Sequence, residues 1–379
     1  MRARHTSLAA LVVSLLAALA GVANAKTIEV SFTSHDGYSM FGKLTLPDTP
    51  GPHPVVIYVQ GAEGMTVDQK RMGRNGTFKY FDLYRTKLVD GSVGFFSYEG
   101  RGIRNGDTPP RYEAIDQTIY NTSTLDNKVR DVLSAVQAVK KQPDVKSSRI
   151  FLMGASEGTL LAAEAASRIP QEIRGLILYG VMATNLRDTF KFIVSDGGYL
   201  AYRGFFDTNK DGVISKEEFE ADPQHYRQRV FRNAGFENFD KNGDGVFTAD
   251  EMRLLSKPLL DAIDANQYEA LNRWARTSAG VNTPDNWFKD HFEHASIWTF
   301  LSKLDMPIGL FHGDADTNAP IEAVRQLEAR AKEAGKSKME FHYFAGLDHS
   351  LGIGEHLSLG TPLPAGHTAM FEFIFQQAR

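Results

Sequence analysis

The stretch best equipped to attack a substrate is a serine framed by glycines, Gly154-Ala155-Ser156-Glu157-Gly158. A short apolar run, Arg149 to Met153, leads into it, and a small-residue helical run, Thr159 to Ile169, leads out. Strand, Gly-x-Ser-x-Gly and helix in that succession put a serine on a turn so tight that only small neighbours fit. Gly154 and Gly158 remove the Cβ atoms that would collide there. The helix that follows aims its first N–H groups and the positive end of its dipole at the reacting centre. Such a pentapeptide also arises by chance at ordinary glycine and serine frequencies, so the rest of a catalytic set has to be found elsewhere. A serine nucleophile needs a base, and the base needs an orienting carboxylate. The run Ile308 to Phe311 ends in His312-Gly313-Asp314-Ala315-Asp316, which offers Asp316 as the acid and Asp314 as its rival on the same turn. After the next strand, Gly346-Leu347-Asp348-His349 offers His349 as the base. Asp348 adjoins His349 and cannot easily turn back to orient it. His312 is expected to pack at its strand end, and His291, His294 and His356 lack a strand-end setting.

A second chemistry is written in two twelve-residue acidic loops, Asp207 to Glu218 and Asp240 to Glu251. Both fit the EF-hand calcium loop at every diagnostic position, and the chain resembles that family over 205–255. Calcium is a hard cation that takes about six to eight oxygens in a flexible shell. The pattern implies Asp207, Asn209 and Asp211 as side-chain ligands in the first loop, with the Val213 carbonyl, Ser215 and a closing bidentate Glu218. The second loop supplies Asp240, Asn242, Asp244, the Val246 carbonyl, Thr248 and Glu251. Gly212 and Gly245 allow the sharp turn, and Ile214 and Phe247 let the paired loops meet as a short β-ribbon. The loops begin 33 positions apart, which leaves room for an exit helix, a linker and an entry helix. Two calcium ions per chain are expected, bracing the segment or switching it.

The elements that must hold these residues alternate along the chain. Lys26 to Phe32 and Ser39 to Leu46 read as a hairpin turning at His35-Asp36-Gly37. Pro54 to Val59 is a continuous apolar run, as expected of a strand buried on both faces of a parallel sheet. A helix is predicted near Asn75 to Val89, a strand over Ser92 to Tyr98, and an amphipathic helix over Leu125 to Lys141. Beyond Ser156 come a strand at Arg174 to Tyr179, another at Pro307 to Phe311, a helix at Ile321 to Ala334, a strand at Met339 to Phe344 and a closing helix at His367 to Gln377. The pattern predicts an α/β fold with a doubly wound, mostly parallel sheet. Between its halves, 26–180 and 301–379, residues 181–300 are richer in charge, Phe, Asp and Asn, and read as a helical cap carrying the EF-hand pair. In open sheets of this kind the site lies at the carboxyl ends of the strands, where the serine and the acid and histidine candidates all fall.

The order Ser156, Asp316, His349 is that of the α/β-hydrolases, and outside the cap the chain resembles that family over nearly its whole length. His312-Gly313-x-x-Asp316 is similar to the family's acid turn, and Gly346-x-x-His349 to its histidine loop. Glu99-x-Arg101-Gly102 resembles its Asp-x-Arg-Gly turn, with Glu in place of Asp. The resemblance implies Ser156 as nucleophile, His349 as general base and then acid, and Asp316 as orienter. It implies an oxyanion hole made by the N–H of Glu157 and of Ala62, with Gln60-Gly61 standing where the family usually has His-Gly. Glu157 and Glu63 would then place acidic side chains near the mouth, and Asn286-Trp287-Phe288, Phe292 and Trp298 would line an apolar pocket or form the core of the cap.

The chain of 379 residues is 42% hydrophobic and 23% charged, with a net charge of −4, so nothing draws it generally to nucleic acid or anionic membrane. Arg2, Arg4 and His5, the apolar run Leu8 to Ala20 and the small-x-small site Ala23-Asn24-Ala25 read as a secretory leader over 1–25, cleaved after Ala25. Export to the periplasm or beyond is the expected destination. There is no cysteine, which removes disulfides, thiol catalysis and thiolate metal sites. Asn75 and Asn121 open glycosylation sequons that carry little weight in a bacterial setting. The expected activity is cleavage of an acyl ester or thioester through an acyl-enzyme, with a small-molecule substrate and calcium as partners and no nucleic acid. A serine peptidase for short peptides and a non-catalytic calcium-binding module on the same scaffold are the alternatives.

Overall fold

The computed structural model describes residues 25–222, 225–231, 234–279 and 281–379. All of the predicted leader except Ala25 lies outside the described residues. Eight strands form the central sheet: β1 (Ala25–Thr33), β2 (Ser39–Pro47), β3 (His53–Val59), β4 (Gly94–Tyr98), β5 (Val145–Ala155), β6 (Gly175–Tyr179), β7 (Ile308–Gly313) and β8 (Met339–Phe344). Their spatial order is β1-β2-β4-β3-β5-β6-β7-β8. β1 and β2 pair antiparallel, β2 meets β4 antiparallel, and every later pairing is parallel.

The central strands are apolar throughout because both faces are covered. Val55, Ile57 and Val59 of β3 face one core, and Val56 and Tyr58 face the other. The same alternation divides Ile150 and Leu152 from Phe151 and Met153 in β5, and Leu176 and Leu178 from Ile177 and Tyr179 in β6. The helices Leu125–Lys140 and Glu157–Arg168 close the first face. Tyr80–Asp90 and the C-terminal helix Ala365–Ala378 close the second.

The helix expected from Asn75 begins only at Tyr80. Lys70–Gly73 and Gly76–Lys79 form an antiparallel hairpin instead, turning at Arg74-Asn75 with Gly76 at φ 116°. A second small hairpin, Ile103–Asn105 with Glu113–Ile115, and a helix at Ile353–Leu359 carry no sequence pattern strong enough to foretell them. The Arg101 turn has a structural duty. Arg101 is buried and donates to Asp131 through Nε and Nη2, each at 2.7 Å, and to Asp36 through Nη1 at 2.6 Å. It thereby ties the β1–β2 turn to the helix Leu125–Lys140.

The described residues between β6 and β7 are mostly helical, with one short ribbon, and have two apolar centres of their own. Phe190, Ile263, Leu271, Phe288 and Phe292 make one, and Tyr199, Phe206, Ile214, Phe219 and Phe247 the other. Phe288 and Phe292 therefore belong to the cap core. Trp298 packs instead against the main core, under the Arg330 guanidinium. No helix among the described residues is long and apolar enough to cross a membrane.

Candidate active site

Ser156 sits between β5 and the helix Glu157–Arg168 at φ 57° and ψ −130°. A side chain held there costs about 1–3 kcal/mol and persists only where its surroundings over-determine it. The surroundings here are glycine contacts. A Cβ on Gly154 would stand 2.3 Å from the Gly158 carbonyl oxygen, and one on Gly158 would stand 2.3 Å from that of Val59. The end of β5, the start of the helix and the end of β3 thus meet with no room for side chains. Ser156 N–H donates to the Tyr179 carbonyl at 3.1 Å, and Thr159 Oγ1 donates to the Ser156 carbonyl at 2.6 Å.

His349 and Asp316 come from the loops after β8 and β7. His349 Nδ1 lies 2.7 Å from Asp316 Oδ2, and because a carboxylate only accepts, Nδ1 is the donor. That leaves the Nε2 lone pair bare, and Nε2 is buried with no hydrogen-bonding partner. The other oxygen of Asp316 accepts from the N–H of Asn318 at 2.8 Å and of Ala319 at 2.9 Å. Burial raises the affinity of Asp316 for a proton, but the hydrogen bond from His349 and the neighbouring imidazoles outweigh it and hold the carboxyl below its ordinary value. Ser156 and His349 open together on one cavity of about 290 Å³, walled by Tyr58, Tyr80, Tyr179 and Phe78.

The rival carboxylates are engaged elsewhere. Asp314 Oδ1 accepts from Gly346 N–H at 2.6 Å, and Asp348 Oδ1 accepts from the N–H groups of Ser350 and Gly352. His312 is fully buried, accepting from Val181 N–H and donating to the Ala319 carbonyl, and burial lowers its proton affinity. It braces the acid turn from below. His356 lies against the Thr361 carbonyl.

The turn Gln60-Gly61-Ala62 lies over the serine. A Cβ on Gly61 would be 3.6 Å from Ser156 Cβ and 4.0 Å from Glu157 N. Gln60 pins this turn: its amide nitrogen donates to the Tyr98 carbonyl, and its amide oxygen accepts from Met65 N–H at 2.8 Å. The expectation of the Glu157 side chain at the mouth is corrected. Glu157 turns inward and is buried, with Lys128 Nζ 2.7 Å and His291 Nε2 2.6 Å from its carboxylate oxygens. Burial alone would raise its pKa, but these two partners hold it down to about 2. Glu63 pairs with Arg111 on the surface.

Sequence reasoning missed several residues of this region. Gly180 follows β6 at φ 56°, and a Cβ there would stand 2.9 Å from His349 Cε1, so only glycine leaves the imidazole its place. The hydroxyls of Tyr58, Tyr80 and Tyr84 gather around that of Tyr179 at 2.9 to 3.3 Å, and Tyr84 reaches His367 Nε2 at 2.9 Å. Burial pushes the phenols of Tyr58, Tyr84 and Tyr179 well up and His367 down to about 4, so the cluster is neutral. Lys128 and His291 had no local signal beyond a charged residue beside an apolar helix face and a histidine in an aromatic stretch.

The two acidic loops meet as expected through an antiparallel ribbon pairing Ile214 with Phe247. Ser215 and Thr248 each cap the exit helix in a box closed by Glu218 and Glu251. Among the described residues no three His, Cys, Asp or Glu side chains gather as a metal cluster. Much of the EF-hand donor set lies outside those residue types, in Asn, hydroxyl and carbonyl oxygens. In the first loop Asp207 Oδ1 is buried without a hydrogen-bonding partner, the condition of an oxygen that suits a cation.

Comparison with known proteins agrees with this architecture. The EF hand family model matches residues 204–221 and 233–256. Esterase EstD of Thermotoga maritima is 30% identical over 161 residues, which is 41% of this chain and 34% of the relative. The match thus spans about a third of that curated relative's length. Among solved structures, protein PA2218 of Pseudomonas aeruginosa is similar with a TM-score of 0.50 and 15% identity, over 94% of each chain. A complex of DcsB with its substrate analogue is similar with a TM-score of 0.50 and 16% identity, over 93% of this chain and 99% of that one. The fold is the α/β-hydrolase fold, with an EF-hand pair in the segment between β6 and β7.

Proposed function

We propose that this chain is an exported serine hydrolase that cleaves an acyl ester or thioester, with a calcium-binding cap. One observation carries the reading: a hydrogen-bonded His349–Asp316 couple, with a bare imidazole nitrogen, shares one cavity with a serine held at φ 57°. In the proposed cycle His349 Nε2 takes the Ser156 proton as Oγ attacks the acyl carbonyl. The N–H groups of Glu157 and Ala62 receive the oxyanion. The imidazolium returns the proton to the leaving alkoxide or thiolate, and the ester is exchanged for an acyl-enzyme. His349 then activates water, which releases the acid and restores Ser156. The cavity of about 290 Å³ lies at the lower end of ligand sites and suits a short acyl group.

The test is hydrolysis of p-nitrophenyl acetate and butyrate by the mature protein, beside labelling by a fluorophosphonate. Turnover and single-site labelling are expected. Labelling with no ester turnover, together with cleavage of dipeptide p-nitroanilides, would assign the site to a peptidase. Neither labelling nor turnover would leave a calcium-binding module.

The two loops are proposed to hold two calcium ions, through Asp207, Asn209, Asp211, Val213, Ser215 and Glu218, and through Asp240, Asn242, Asp244, Val246, Thr248 and Glu251. Bound calcium would supply charge to loops that carry three acidic ligands each, and so stabilise the cap. Calorimetry on chelated protein should count two ions, and calcium at a hundred times its Kd should raise stability by about 2.7 kcal/mol for each independent site. A titration showing no heat and no shift in Tm would remove this part of the reading.

A further inference from the structure

The cap meets the catalytic apparatus through a buried polar link around Glu157. Lys128 Nζ, from the helix Leu125–Lys140, donates to the Ala62 carbonyl at 3.0 Å and to Glu157 Oε1 at 2.7 Å. Ala62 and Glu157 are the two residues whose N–H groups make the proposed oxyanion hole. One ammonium therefore ties together both peptide segments that must stay a fixed distance apart. The second oxygen of Glu157 faces His291 Nε2 at 2.6 Å, and His291 belongs to the cap helix Trp287–Phe292. The other ring nitrogen lies 2.7 Å from the Trp287 carbonyl. Both ring nitrogens thus face oxygen acceptors, and because a carboxylate only accepts, Nε2 is the donor toward Glu157. The imidazole is 1% exposed and stacks on Trp287 with ring centres 3.9 Å apart.

Neighbouring contacts hold the same helix down. Asp290 Oδ2 accepts from Leu125 N–H at 2.7 Å, at the start of the helix that carries Lys128. Two turns along from Glu157, His294 Nε2 stands 3.0 Å from Glu164, which also pairs with Arg168 at 2.6 Å. The His294 pair docks the cap without touching the oxyanion hole, and so separates docking from positioning.

We propose that the cap is a working part of the oxyanion hole, in which Lys128 and His291 are positioning residues that fix the peptide units of Ala62 and Glu157. This rests on the serine hydrolase reading above. An aligned donor in a water-excluded site acts without reorganising during reaction, so the advantage is lost when the donor's segment is free to shift. Removing an oxyanion donor costs roughly 100- to 1,000-fold in kcat, and loosening one should cost less.

The experiment compares full mature protein with its Lys128→Met, His291→Leu, His291→Gln, Glu157→Gln and His294→Gln variants. It measures kcat, KM, Tm and the Ki of a trifluoromethyl ketone, which forms a tetrahedral adduct on serine. Lys128→Met and His291→Leu should lower kcat by about 10- to 100-fold, with KM within about twofold, and weaken the ketone by the same factor. His291→Gln keeps a donor toward Glu157 and should recover most of the rate. His294→Gln should lower Tm and leave kcat unchanged. Should the Lys128 and His291 variants fail to fold, Glu157→Gln keeps volume and backbone while removing the charge, and should lose about tenfold in kcat. Wild-type kcat and ketone affinity in these variants would overturn the proposal while the wild-type enzyme still turns over. An equal kcat loss in His294→Gln would also overturn it, since docking in general would then be responsible. A wild-type protein that neither hydrolyses esters nor reacts with a fluorophosphonate would remove the hydrolase reading, and this proposal with it.

Discussion

Replacing Ser156 by alanine is expected to lower kcat by about 10⁵- to 10⁶-fold while leaving the fold intact. The magnitude follows from how a nucleophile and its base act as one unit: losing either abolishes the covalent route, and what remains comes from the oxyanion hole and binding. The fold should hold because alanine keeps the Cβ at φ 57°, and the backbone contacts there, Ser156 N–H to the Tyr179 carbonyl and Thr159 Oγ1 to the Ser156 carbonyl, do not involve the hydroxyl. Unfolding in urea should therefore show a midpoint close to wild type. Fluorophosphonate labelling should vanish with the activity. A variant that kept more than about a hundredth of the rate would place the nucleophile elsewhere and end the mechanism, since that loss is only about 2.7 kcal/mol of transition-state stabilisation.

What the sequence disclosed about this arrangement depended on how local each signal is. β3, β5 and β6 are apolar at successive positions because the chain alternates between two covered faces, and that shows in a window of six residues. Ser156, Asp316 and His349 were legible because each follows the end of a strand, where an open parallel sheet exposes its loops. The paired acidic loops were legible because the EF-hand pattern is spaced along one short segment. The hairpin before Tyr80 was not. It is short and polar, and distant contacts help to hold it: Met72 N–H donates to the Pro110 carbonyl and Arg74 N–H to Ser358 Oγ. The link from Lys128 through Glu157 to His291 was hidden for the same reason. Its members are 29 and 134 positions apart, and no local pattern pairs a lysine with a glutamate at such distances. Glu157 shows the consequence: a carboxylate beside a nucleophile reads as a mouth residue until its buried partners Lys128 and His291 are known.

Asparagine at position 316 should lower kcat by about 10⁴-fold, whereas asparagine at 314 should change it by less than about threefold. The contrast follows from hydrogen-bond bookkeeping at one side chain. Asp316 Oδ1 accepts from the N–H groups of Asn318 and Ala319, so the amide oxygen of an Asp316→Asn variant must take that place. Its NH₂ group is then turned toward His349 Nδ1, 2.7 Å away in the native pair. A donor facing Nδ1 forces that nitrogen to accept, which moves the ring proton to Nε2, the nitrogen that should receive the Ser156 proton. The geometry survives and the tautomer is wrong, a change that costs about 10⁴ in kcat where it has been isolated in a serine triad. Asp314 makes one contact that bears on this site, accepting from Gly346 N–H, and an asparagine oxygen can accept it equally. Stability separates the variants a second way. The Asp316 carboxyl is held below its ordinary value of 3.8 by His349, so it stabilises the folded protein above that pH and gives the contribution up as pH falls through its lower folded value. In Asp316→Asn that contribution is absent at every pH. Its deficit against wild type in urea unfolding should be greatest near neutrality and shrink toward pH 3. An unchanged kcat in Asp316→Asn, with the loss appearing in Asp314→Asn instead, would transfer the orienting role to the rival acid.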